Sequence, residues 1–148
     1  MMNIDQLRME LEYDEGCKFE IYYDHLGLPT LGIGHLITKD DPEYELEVGT
    51  AVSAERVKEA FESDVDITIQ ECKKLYDEWI DYPDEVQLIL ANMMYNLGRP
   101  RLSQFKLMKA ALDERNWSEA SLQMADSKWY NQVPNRAGRL CKRMAQLV

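Results

Sequence analysis

The chain is short of almost everything that marks a specialised polymer. Its 148 residues hold only 3 cysteines, at Cys17, Cys72 and Cys141. They are far apart, odd in number and without metal-ligand spacing, which excludes a disulfide framework and points to free thiols in a reducing compartment. Glycine and proline number 7 and 5, and no repeat or low-complexity segment is present. No apolar run approaches the roughly 20 residues that cross a bilayer. The N-terminus, Met-Met-Asn-Ile-Asp-Gln-Leu-Arg-Met-Glu, has no basic segment leading into an apolar one, so no cleavable signal peptide is expected.

Positive charge is also scarce, and unevenly so. Residues 1–98 carry 7 Lys and Arg against 23 Asp and Glu, whereas residues 99–148 carry 10 against 4. An acidic part and a basic part suggest two lobes with different fields. The basic part is too sparse to imply nucleic acid as a partner. What is present in ordinary amount is hydrophobic residues, 45%, beside 30% charged. That balance describes a globular chain of one domain or two small lobes.

Ile4, Leu7 and Leu11 recur at helical spacing behind Asn3 as N-cap, and Gly16 closes that helix. Residues 17–23 alternate with a period of two, which predicts a strand. Asp24-His25-Leu26-Gly27 is a turn signal, and residues 28–33 form the return strand. Residues 38–49 read as acidic loop with a short helical piece, and Ala51-Val52 as a possible third strand. Ser53 caps a long helix through about residue 78, with Val57, Ala60, Phe61, Val65 and Ile69 on its apolar face. Pro83-Asp84 opens a helix that Gly98 ends, and shorter helices are expected at 103–112, 117–126 and 135–146.

The segment Glu15–Leu36, E-G-C-K-F-E-I-Y-Y-D-H-L-G-L-P-T-L-G-I-G-H-L, concentrates the chemistry. Glu15 stands at a helix end and Asp24 on a hairpin, so the fold alone sets their separation. Glycoside hydrolysis needs a protonated carboxylic acid and an ionised carboxylate; about 6.5–9.5 Å between them leaves room for water and gives inversion, about 5–5.5 Å gives retention. Thr30, on the return strand, can face Asp24 and hold that water. Gly32 and Gly34 permit a tight turn and close backbone approach. By itself Gly-x-Gly is a weak signal. His35 suits a structural hydrogen bond, with a carboxylate on the long helix as its partner.

The pattern E-G-x5-Y-x-D-x5-T-x-G-I-G-H-L resembles the active-site signature of the T-even phage lysozyme family, glycoside hydrolase family twenty-four. F-E-S-D-V-D at 61–66, N-M-M-Y-N-L-G at 92–98, W-x-E-A at 117–120 and S-K-W-Y-N-Q-V-P-N-R-A at 127–137 extend the resemblance over most of the chain. It implies an α+β lysozyme-like fold in one domain, 1–148. A small sheet-bearing lobe (15–60) would be joined by a connecting helix (54–78) to a helical lobe (1–14 and 80–148). It implies a muramidase, an inverting endolysin cleaving peptidoglycan between N-acetylmuramic acid and N-acetylglucosamine during host lysis. Glu15 would be the acid, Asp24 the base, and Thr30 the residue positioning the water. Arg136 would pair with the acid from the other lobe, and His35 with Asp64 as a structural ion pair. Leu36, Tyr95 and Gln123 would contact sugar.

No metal or cofactor is implied. Bacterial peptidoglycan is the implied partner, with no nucleic acid and no stable membrane insertion. The enzyme would be a monomer accumulating in the host cytoplasm until a holin opens the membrane. Two other readings remain open at this point: a tail-associated lysozyme used in phage entry, which a chain of only this length disfavours, and a lysozyme-fold protein that binds glycan without cleaving it. The segment between Leu36 and Ser53 is shorter than in the best-known family member, and the acidic balance departs from the cationic lysozymes drawn to anionic walls.

Overall fold

A computed structural model describes all 148 residues. The first helix, α1 (Ile4–Glu15), is followed by three strands, β1 (Lys18–Tyr23), β2 (Pro29–Gly32) and β3 (His35–Leu36). Helices α2 (Ala54–Leu75), α3 (Asp84–Leu97), α4 (Arg99–Leu102), α5 (Lys106–Asp113), α6 (Trp117–Ala125), α7 (Lys128–Gln132) and α8 (Pro134–Ala145) complete an α+β chain. It divides into two compact units, residues 8–67, and residues 1–7 with 68–148. No helix is long and apolar enough to cross a membrane. All three cysteines are free thiols; burial raises the pKa of Cys141 to about 11, so it stays a protonated, unreactive core side chain.

At the ends of α1 and at the start of α2 the caps work as the side chains dictate. Asn3 Oδ1 accepts the Gln6 N–H at 3.2 Å ahead of α1, and Gly16, at φ +73°, accommodates the left-handed turn that ends it. Ser53 Oγ accepts the Arg56 N–H at 3.1 Å and starts α2. The sheet is antiparallel in the order β1-β2-β3. Its register pairs Ile21 with Leu31 and Leu31 with His35 in one row, and Tyr22 with Thr30 and Thr30 with Leu36 in the next. Paired residues share a face, so the two rows point oppositely. Ile21 and Leu31 are fully buried, in a core that includes Leu11, Ile33, Val57, Phe61 and Val65.

Three expectations for the sheet, the following loop and α2 change. The third strand is His35–Leu36, because the Gly32-Ile33-Gly34 turn folds the chain straight back; Ala51 makes only a single bridge to Glu20. Residues 38–49 form turns and no helix. There Asp41 Oδ2 takes the Thr38 N–H at 2.8 Å, and side-chain bonds of this kind compete with helical ones. On α2 the buried row continues through Thr68, 5% exposed, while Ile69 is only half-buried.

In the 1–7 and 68–148 unit, α2 stops at Leu75 instead of 78. The chain passes through a 3₁₀ turn, Trp79–Asp81, which turns Tyr76, Trp79 and Tyr82 inward; each is at most 3% exposed. Ten of the fourteen residues of α3 are buried, so this helix is the centre of the unit. Its polar members are satisfied: Gln87 accepts the Met2 N–H at 2.8 Å and donates to Trp79 O at 2.7 Å. α8 buries Arg136, Ala137, Leu140, Cys141 and Met144, one stripe at helical spacing, with each large apolar side chain contributing about 1.5–3 kcal/mol. The expected helices at 103–112, 117–126 and 135–146 appear as α5, α6 and α8. Two short ones, α4 and α7, carry too few residues to show periodicity. Pro100 pre-sets φ at the start of α4, and Ser127 Oγ caps α7 through the Tyr130 N–H at 3.2 Å.

Candidate active site

Glu15 is the last residue of α1, half-buried, and its carboxyl lies against the β2–β3 turn. A Cβ at Gly34 would meet Glu15 Oε1 at 2.6 Å and Cδ at 2.9 Å. Gly34 also sits at φ +65°, a conformation that only glycine adopts cheaply. The carboxyl thus occupies a seat that exists because residue 34 has no side chain.

Asp24 follows β1 and opens the turn. Its Oδ1 accepts the N–H groups of Leu26 and Leu28, both at 2.9 Å, while its own N–H donates to Leu28 O at 3.0 Å. These bonds fix the carboxylate and leave Oδ2 able to accept a proton. Thr30 lies in β2, 3% exposed, and its hydroxyl donates to Leu28 O at 2.9 Å. With the hydroxyl proton committed, the Oγ1 lone pairs are turned toward acceptance.

Tyr22 belongs to the same group, although the sequence assigned it no role. It is the cross-strand partner of Thr30 and two residues before Asp24. Lys18 Nζ lies 4.4 Å from its ring centroid, a cation–π contact. Burial raises the pKa of the phenol, the Gly34 backbone N–H acts against that rise, and the charges of Glu15, Asp24 and Cys17 add to it. The net result is a neutral phenol at physiological pH. Within the 8–67 unit the chain therefore brings Glu15, Asp24, Thr30, Tyr22 and the Gly34 turn together. Leu36, 46% exposed, continues their row on β3.

His35 points from the other row into a charged cluster. Its Nδ1 is 2.7 Å from Asp64 Oδ2 on α2, and its Nε2 is 3.0 Å from Asp41 Oδ2. Arg56 ties the cluster to the loop, donating to Asp41 Oδ1 at 3.0 Å, Glu43 Oε2 at 2.9 Å and Glu59 Oε1 at 2.9 Å. Asp41, Glu43 and Arg56 were not singled out in the sequence, because no local spacing marks residues that meet only in the fold. Burial alone would lower the pKa of His35, but the bonds and charges of Asp64 and Asp41 outweigh it, and the net shift is upward. Asp41 and Glu43 are both shifted downward: Asp41 against its burial, by the Thr38 N–H and His35, and Glu43 chiefly by its bonds to Arg56.

These shifts set the sign of the pH dependence. A histidine with a raised folded pKa stabilises fully below its unfolded value of about 6.5, and that stability is lost as pH rises through the folded value. The two carboxylates stabilise above their unfolded values of about 4 and lose that contribution as pH falls through their lower folded values. The cluster is at full strength between those limits, in mildly acidic solution. His35→Gln is expected to remove the fall in Tm above pH 6.5, measured by calorimetry from pH 5 to 9; an unchanged slope would mean that another group controls it.

The remaining residues named from the sequence lie in the other unit. Arg136 on α8 is 7% exposed, and its Nε donates to Asn92 Oδ1 on α3 at 2.8 Å. Tyr95 is half-buried on α3. Gln123 on α6 donates to Glu119 Oε1 at 2.8 Å. It also lines a cavity of about 380 Å³ with Phe105, Met108, Lys128 and Trp129.

Two carboxyls held on different elements, one against the Gly34 turn and one fixed by turn N–H groups, with a hydroxyl on the return strand, are the groups that glycoside hydrolysis calls for. Comparison with known proteins narrows the class: the phage lysozyme family model matches residues 12–146, and the chain belongs to that family. It is 31% identical to "Probable T4-type lysozyme 2" of Dictyostelium discoideum, over 93% of this chain and 92% of that one. It is 32% identical to the peptidoglycan hydrolase gp36 of Pseudomonas phage phiKMV, over 93% of this chain but 15% of the larger protein. It is also 28% identical to the pre-baseplate central spike protein Gp5 of Enterobacteria phage T4, over 88% of this chain and 26% of that protein.

Proposed function

We propose that the chain is an inverting muramidase, cleaving the β-1,4 bond between N-acetylmuramic acid and N-acetylglucosamine in bacterial peptidoglycan. The observation that carries this reading is a pair of held carboxyls in one unit, Glu15 against the Gly34 turn and Asp24 fixed by the Leu26 and Leu28 N–H groups. Membership of the lysozyme family and the likeness to a phage peptidoglycan hydrolase supply the substrate class.

In this mechanism Glu15 gives its proton to the glycosidic oxygen as the bond to the anomeric carbon breaks. A water held between Asp24 Oδ2 and Thr30 Oγ1 attacks that carbon from the opposite face and loses a proton to Asp24. The Glu15 proton leaves on the new sugar hydroxyl, Asp24 carries the proton taken from water, and exchange with solvent resets both carboxyls. Leu36, Tyr95 and Gln123 contact the glycan in this proposal. Arg136 assists the acid, and the His35–Asp64 pair holds the hairpin in place. The enzyme acts as a monomer without a metal or cofactor. It works in host lysis, reaching the wall from the cytoplasm once a holin has opened the membrane.

Anomeric NMR on peptidoglycan fragments tests bond and stereochemistry together. New reducing ends on N-acetylmuramic acid, with the α-anomer appearing first, are expected. The β-anomer appearing first would replace inversion by retention, and no reducing ends would leave only binding. The likeness to a central spike protein favours a second role, in phage entry. Detection of the chain in purified virions would establish it over the lytic one.

A further inference from the structure

One helix, α2, grips both the support of the Glu15 carboxyl and the helix that carries it. On the side of the support, Val57 of α2 packs against Gly32 so closely that a Cβ there would meet its Cγ1 at 2.9 Å. Asp64 of α2 bonds His35 Nδ1 at 2.7 Å. Gly32 and His35 flank Gly34, so α2 holds the β2–β3 turn on both sides of the Glu15 seat. On the side of the acid, Arg8 of α1 meets Glu62 of α2 as a fork. Its Nε donates to Glu62 Oε1 at 2.9 Å and its Nη2 to Oε2 at 2.8 Å. All of these residues belong to the 8–67 unit.

The fork differs in kind from the apolar contacts of α1. Leu11, fully buried, fixes how deep the helix sits. Apolar burial is non-directional, so it lets a helix slide or turn by fractions of an ångström. Two parallel N–H···O bonds from a planar guanidinium define direction as well as distance. The two side chains are 36% and 41% exposed, so water screens the pair and its contribution to stability is small. What the fork supplies is register. Arg8 and Glu15 lie on one helix about 10 Å apart along its axis, and a shift at Arg8 carries through to Glu15. We propose that Arg8 is a positioning residue for the reaction: its fork on Glu62 sets the axial position of α1 and so places the Glu15 carboxyl on the Gly34 turn. This rests on the assignment of Glu15 as acid. Arg8 moves no proton in this role and acts only through α1.

Misplacement of a reacting group by about 1 Å lowers the rate on the order of 10²-fold, and a drift of about half that is expected once the fork is lost. Arg8→Met keeps the aliphatic stem and removes the fork. Its kcat is expected to fall about tenfold, with KM changed less than twofold. Arg8→Lys keeps the charge but not the planar fork, and is expected to recover only part of that loss. The combination with Gly34→Ala isolates the cause, because there the carboxyl has already left its seat. Residues that act through one shared element are not additive, so Arg8→Met is expected to lower kcat of Gly34→Ala by less than about twofold.

The test measures kcat and KM for reducing-end release from soluble peptidoglycan fragments, at a temperature where Tm values show every variant folded. It compares wild type, Arg8→Met, Arg8→Lys, Gly34→Ala and the double variant Arg8→Met/Gly34→Ala. Arg143→Met is the control: Arg143 makes a like fork with Glu85, at 3.2 Å and 2.6 Å, in the unit that lacks Glu15. Its kcat is expected to stay at the wild-type value. Wild-type kcat in Arg8→Met overturns the proposal. So does an equal loss in Arg143→Met, which would make the effect one of general stability, and so does a full tenfold loss on top of Gly34→Ala. A crystal structure of Arg8→Met adds a readout that needs no activity. Glu15 Cδ is expected about half an ångström from its wild-type place on the Gly34 turn, and an unmoved carboxyl overturns the proposal. If wild type releases no reducing ends while the carboxyl does move, the muramidase reading fails and the positioning by Arg8 stands.

Discussion

Glu15→Gln is expected to abolish release of reducing ends from peptidoglycan, with a loss of about a thousandfold or more, and to leave Tm close to wild type. The amide has the size and shape of the carboxyl, so it fits the same seat on Gly34. What it lacks is an acidic proton, and a positioned general acid is worth about 10²–10⁴ in rate. Asp24→Asn isolates the base in the same way. The amide oxygen can still accept the Leu26 and Leu28 N–H groups, so the turn survives, but the site loses the group that accepts the proton of water. Circular dichroism and calorimetry on both variants separate lost chemistry from lost fold. Full activity in Glu15→Gln would sink the assignment of the acid.

Gly34→Ala is expected to lower kcat about a hundredfold through a residue that does no chemistry. The new methyl would lie 2.6 Å from Glu15 Oε1, well inside contact distance, so the carboxyl must leave its seat. Displacement of a reacting group by about 1 Å costs on the order of 10² in rate. The same substitution places an L-residue at φ +65°, costing about 1–2 kcal/mol of stability. Gly49→Ala separates the two effects. Gly49 has φ +96° but nothing within 4 Å of its Cβ position, so that variant bears backbone strain without touching Glu15. Reduced Tm in both variants with reduced kcat only in Gly34→Ala supports the seat; equal kcat losses would assign the effect to strain.

These contrasts show why some of the site was legible in sequence and some was not. Asn3, Ser53, Gly16 and Gly98 mark helix ends because capping is a local interaction between a side chain or a left-handed turn and nearby backbone. The hairpin was legible from a period of two and a turn signal. Its third strand was not, since two residues are too short for a period. His35 and a carboxylate on the long helix could be paired by expectation, but Asp41, Glu43 and Arg56 could not, as they come from a loop and a helix with no common spacing. Tyr22 stood in the signature, but the strand residue it faces was not legible, because pairing register is set across the sheet.

The sequence by itself determined the longer helices, the first hairpin, the presence of two carboxyls and a threonine in one segment, and the resemblance to the lysozyme family. Those follow from short-range rules that need only neighbours along the chain. Only the tertiary structure decided that Glu15 rests on Gly34, that Tyr22 faces Thr30, and that Asp41 joins His35 and Arg56. These are relations of register and approach: the sheet shifts register between Lys18 and Ile21, and a one-residue slip would turn Tyr22 to the opposite face. A side chain's identity is written in the chain, but the group it touches is set by packing across residues distant in sequence.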